Sequence, residues 1–70
     1  MNKNYNFIFL QSADTWESVT PNTVETMFER AENMGYRLKS FKEWLLKQPL
    51  TNYTKSRIEG IYKNFCEGDD

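Results

Sequence analysis

The residues of this chain that could do chemistry are carboxylates, lysines, arginines and one thiol; there is no histidine, and Cys66 is the lone cysteine. A zinc site needs several nitrogen or sulfur ligands, and a thiol nucleophile needs a neighbouring base. Neither a metal centre nor a Cys/His nucleophile is therefore expected. The sequence also lacks a glycine-rich phosphate loop, a Walker lysine and a nucleophile elbow. Its carboxylates are mostly spaced along one stretch (Glu25, Glu29, Glu32) or gathered near the end (Glu67, Asp69, Asp70). A paired acid/base site would depend on tertiary convergence that this spacing does not reveal. The expectation is a protein without catalysis, cofactor or metal, whose function lies in what its surface binds.

The surface most able to bind lies on residues 52–66. There Ile58, Ile61, Tyr62 and Phe65 recur at helical spacing, with Thr54 extending the stripe one turn earlier. Opposite that stripe sits Gly60, in line with Ser56 and Asn64 and flanked by Tyr53 and Arg57. A mid-helix glycine costs about 1 kcal/mol relative to alanine. It is either a tolerated surface residue or a groove for another backbone or a phosphate. An aromatic and a guanidinium around it have the composition of a protein-binding hot spot. Leu46 is a second irregularity, pointing away from the stripe of Phe41, Trp44 and Leu45 that its short helix turns inward. Either that helix is covered on two sides, or Leu46 belongs to an exposed interface. Leu46, Tyr53, Ser56, Arg57 and Gly60 form the candidate partner-binding set, for a small regulator or inhibitor that occludes a partner protein.

Charge offers an alternative. The net value is −1, yet residues 1–35 carry two basic and five acidic side chains, whereas residues 36–64 carry seven basic and two acidic. The two halves either face each other or leave a basic binding face, on which Lys39, Lys42, Asn52, Lys55 and Lys63 would meet nucleic acid. From Ser40 to Glu59 the chain aligns without gaps to the helix-turn-helix of phage-repressor-like DNA-binding domains, and Thr54-Lys55-Ser56-Arg57-Ile58-Glu59 resembles their recognition helix. The resemblance implies that the helix over residues 51–65 lies in the major groove, with Asn52, Tyr53, Lys55 and Ser56 facing bases or phosphates. The chain departs from the family at three packing positions: Leu45 replaces a small residue, Pro49 a glycine and Lys55 a buried branched side chain.

The elements that must position these residues read as an α+β domain. Residues 4–10, NYNFIFL, combine aromatic and branched side chains over strand length, with Tyr5, Phe7 and Phe9 on one face and Ile8 and Leu10 on the other. A strand needs a partner, which either residues 15–19 in a hairpin or residues 36–38 could supply. A helix over 21–34 starts at the Thr20 cap and Pro21 and stops at Gly35, with Val24, Met27, Phe28, Ala31 and Met34 as its stripe. A helix over 40–47, boxed by Ser40 and Glu43, precedes a turn at Pro49, and Thr51 caps the last helix. Phe28, Trp44, Ile58, Ile61 and Phe65 are expected to be buried together.

Residues 1–70 therefore form one domain, an N-terminal strand or hairpin packed on three helices, with an acidic tail fraying from about residue 67. Its eleven aromatics, each able to bury roughly 150–250 Å², offset its small size. One cysteine, no apolar run near the ~20 residues of a membrane span and no signal-peptide pattern point to the cytoplasm and to no membrane partner.

Overall fold

In the computed structural model of the chain, residues 5–66 are described, and every regular element among them is helical. Helix α1 spans Asn6–Ser12, a single 3-10 turn follows at Trp16–Ser18, and α2 (Pro21–Asn33), α3 (Leu38–Leu46) and α4 (Asn52–Cys66) complete the domain. Helix α4 packs on α2 and α3, which also pack on each other; α1 lies on α2 without approaching α4. The acidic tail lies outside the described residues.

The α+β expectation is overturned at its first element. Among the described side chains of residues 5–10, Tyr5, Ile8 and Phe9 are buried while Phe7 and Leu10 face outward, so the operative period is three to four and not two. A short apolar run is ambiguous between these periods, and here the deciding factor is the lack of a strand partner. Residues 15–19 close on themselves: the Ser18 N–H donates to Thr15 Oγ1 at 3.2 Å, and the Thr15 N–H donates to Ser18 Oγ at 3.3 Å. Residues 36–38 are taken up by the junction of two helices. A helix pairs its backbone internally, which the segment could not do as a lone strand.

Helix α2 begins as expected, with Thr20 Oγ1 accepting from the Thr23 N–H and Pro21 in the first turn. It ends in a Schellman motif: the Tyr36 N–H donates to Ala31 O at 3.0 Å and the Gly35 N–H to Glu32 O at 3.1 Å. Gly35 has φ +84°, a conformation that strains a residue bearing a Cβ. This turn delivers the chain to Leu38, where α3 starts two residues before the expected Ser40. Arg37 occupies the cap position without a side-chain cap bond, and the Ser40–Glu43 box does not form. Starting early buries Leu38 beside Phe41 and Leu45. Burying a leucine is worth about 1.5–3 kcal/mol, more than the ~1 kcal/mol of a typical cap. Thr51 does cap α4, accepting from the Thr54 N–H at 3.3 Å.

Phe28, Ile58 and Ile61 are buried as expected, but Trp44 and Phe65 are only partly covered. Phe41, fully buried, joins α3 to α2 through Phe28 and to the N-terminus through Tyr5, with ring centroids 5.3 and 5.1 Å away. Trp16 stacks on Phe9 at 4.0 Å and meets Trp44 at 5.5 Å. Thr54 is buried with its hydroxyl donating to Val19 O at 3.0 Å, which ties the start of α4 to the segment leading into α2.

Phe28→Ala should cost about 3–5 kcal/mol, enough to unfold much of the population of so small a domain. Phe65→Ala should cost less, because its ring is only partly covered. Equal losses in urea titrations would contradict this packing. Tyr5 gives a second expectation, since its buried hydroxyl has no hydrogen-bond partner. Burial, with a smaller contribution from Tyr36, raises its pKa. The folded state then holds the phenol proton more tightly than the unfolded chain does. Stability is complete below about pH 10, the ordinary tyrosine value, and is lost as pH rises through the raised folded value. Tyr5→Phe should leave neutral-pH melting unchanged or higher and flatten the alkaline loss. An alkaline limb identical to that of the parent would remove Tyr5 as its source.

Candidate binding face on the last helix

Helix α4 is fixed to the domain by Thr54, Ile58 and Ile61, all buried, with Tyr62 and Phe65 partly buried beside them. What remains outward is the face carrying Tyr53, Ser56, Arg57 and Gly60. Tyr53 is 67% exposed, and Ser56, Arg57 and Gly60 are exposed as well. Ser56, Arg57, Gly60 and Asn64 line one wall of a groove of about 320 Å³ whose floor includes Ile61 and whose other wall is Glu25 of α2. Tyr53 stands one turn before this groove. The Ser56 hydroxyl is turned back onto the helix, donating to Tyr53 O at 2.7 Å.

Glu25 is the member that the sequence does not assign to the face. It belongs to the Glu25, Glu29, Glu32 ridge, all exposed, and only the packing of α2 on α4 brings it beside Arg57. Leu46 does not join the site: it is half-buried and packs against the core from α3.

The alternative set divides between two helices, with Lys39 and Lys42 on α3 and Asn52, Lys55 and Lys63 on α4. Lys42 Nζ lies 3.1 Å from Glu59 Oε2 and 4.6 Å from the Tyr62 ring centroid, so this cation braces α3 against α4. Each of those contacts is worth about 1 kcal/mol or less at a surface. At about 100° per residue, Lys55 lies roughly 160° around α4 from Arg57 and about 80° from Lys63. Lys55 is half-buried, whereas Lys39, Asn52 and Lys63 are exposed. The acidic and basic halves are not joined by an ion pair among the described residues; the pair that is present, Lys42–Glu59, lies within the basic half. Leu45, where the helix-turn-helix family has a small residue, is fully buried between the helices.

Within the described residues no group of three or more acidic or thiol side chains could hold a metal ion, and no helix is long and apolar enough to cross a membrane.

Gly60 is the most informative position on the face. It sits in regular helix, and a Cβ built on it meets nothing within 4 Å. Gly60→Ala should therefore raise stability by about 1 kcal/mol, read as a shift in denaturant midpoint. A destabilised variant would mean that the fold itself needs glycine there. Comparisons with known proteins add nothing to this geometry, because no protein-family model, curated protein or solved structure matches the chain.

Proposed function

We propose that the protein is a small non-catalytic regulator or inhibitor that occludes a partner protein with the outer face of α4. The observation that carries this reading is Gly60: neither backbone conformation nor packing within the domain calls for glycine, yet it lies mid-helix in a groove beside Arg57 and near a two-thirds-exposed tyrosine. A missing side chain at that point lets another chain approach the helix closely. Arg57 in the groove and Tyr53 two turns before Gly60 supply two of the three side-chain types enriched at interface hot spots. We place the protein in the cytoplasm, a reading supported by its lone cysteine.

The nucleic-acid alternative draws less support from the same geometry. Lys42 is committed to Glu59 and Tyr62, and Lys55 is half-buried.

A pull-down from source cells, with and without nuclease, tests the reading. The expected result is a partner retained after nuclease treatment and lost with Tyr53→Ala or Arg57→Ala. Each substitution should weaken binding by about 2 kcal/mol or more with little change in melting temperature. Titration of labelled duplex and single-stranded DNA at two salt concentrations is the opposing test. Micromolar binding at physiological salt, falling steeply with log salt at a slope of about −0.9 per phosphate and weakened by each lysine removed, would replace the protein-binding reading with the nucleic-acid one.

A further inference from the structure

Helix α1 turns Tyr5, Ile8 and Phe9 inward and leaves the opposite side uncovered. Phe7 is 54% exposed, Leu10 71%, and Met34, just past the end of α2, 45%. Apart from Tyr53 on α4, these are the exposed large hydrophobic residues of the described chain. Phe7 and Met34 both line a cleft of about 220 Å³ between α1 and α2, together with Ile8, Gln11, Arg30 and Asn33. Since α1 and α4 do not approach each other, this face is separate from the one proposed above.

Arg30 gives the cleft its chemistry. Its Nη1 donates to Gln11 Oε1 at 2.9 Å, while Nε is buried and has no hydrogen-bond partner. No carboxylate pairs with it among the described residues, and its helical neighbours Thr26, Met27, Asn33 and Met34 are all uncharged. The C-terminal end of α2 favours a cation at this position, and no side chain of the described residues neutralises its charge. A guanidinium carries five N–H donors and is best satisfied by a carboxylate.

We propose that the α1/α2 cleft docks an amphipathic helix of a partner protein, with apolar side chains seated between Phe7 and Met34 and a carboxylate on Arg30. Charge complementarity selects this occupant. A second copy docked face to face would bring two Arg30 side chains together, and the cleft lining holds no carboxylate to separate them. An anionic lipid surface would be met by several cations, whereas α1 carries no charged residue.

The test uses three fluorescein-labelled helical peptides of about 14 residues, long enough for helix formation once docked. They share one leucine stripe at i, i+3, i+4 and i+7 and differ at a single flanking position occupied by Glu, Gln or Lys. Anisotropy titrations against the full chain should show the Glu peptide binding about tenfold tighter than the Lys peptide, the ratio expected for one charge-assisted hydrogen bond. Arg30→Gln should abolish that preference. Met34→Ser, at an exposed position that lines the cleft, should weaken all three peptides with little shift in melting temperature, and Tyr53→Ala should leave them unaffected. Equal affinity for the three peptides, or no binding of any, would overturn the proposal. So would capture of the chain by vesicles containing phosphatidylserine, or a concentration-dependent dimer that Met34→Ser dissolves.

Discussion

The contact on which the rest of the domain depends is the edge-to-face pair of Phe28 and Phe41, both fully buried, with ring planes at 88°. Phe28 extends it to α4 through Phe65 and Tyr62, and Phe41 extends it to the N-terminal segment through Tyr5. A chain of 70 residues buries only about 60% of its unfolded surface, and a single cysteine cannot close an internal disulfide to compensate. Rings that bury large areas and meet in favourable geometry are the remaining resource. This explains why aromatic side chains from every part of the chain converge on one joint.

That joint also determines which surfaces are left over. With the inner side of α4 committed to Thr54, Ile58 and Ile61, its outer side is held on a rigid element and stays available. Thr54 contributes orientation as well as burial, because its bond to Val19 O sets the start of α4 against the start of α2. Arg57 and Glu25 come to share a groove for this reason. Helix α1 packs along α2, with Tyr5 at its start reaching the rings of α3, and its outer side stays apolar and exposed.

The parts of the fold legible in the sequence are those where local chemistry and tertiary packing agree. Thr20, Pro21 and Gly35 bound α2 as their backbone preferences require, Thr51 caps α4, and the stripe through Ile58 and Ile61 faces inward. The N-terminal segment misleads because apolar residues at nearly every position satisfy a period of two and a period of 3.6 equally well. Its helical state goes with the absence of a strand partner among the described residues, which the segment alone does not reveal. The start of α3 misleads for another reason: the local cap at Ser40 competes with the burial of Leu38 and loses. On the proposed binding face, Tyr53, Ser56, Arg57 and Gly60 could be found by helical counting, whereas Glu25 could not, since its place in the same groove is a product of α2 packing on α4. Likewise, the Phe7 and Met34 cleft is visible only once α1 is known to be a helix.

Both tryptophans lie at one end of the molecule. Trp16 sits against Phe9 and Trp44, and Trp44 against Tyr5 and Phe41, while α2 and α4 contain none. Tryptophan fluorescence therefore senses chiefly the docking of the N-terminal segment onto α3, and α4 contributes no tryptophan of its own. Far-ultraviolet circular dichroism, by contrast, weights α2 and α4 most heavily because they are the longest helices. The two signals divide the domain between them, so coincident melting curves would establish that its ends unfold as a single cooperative unit.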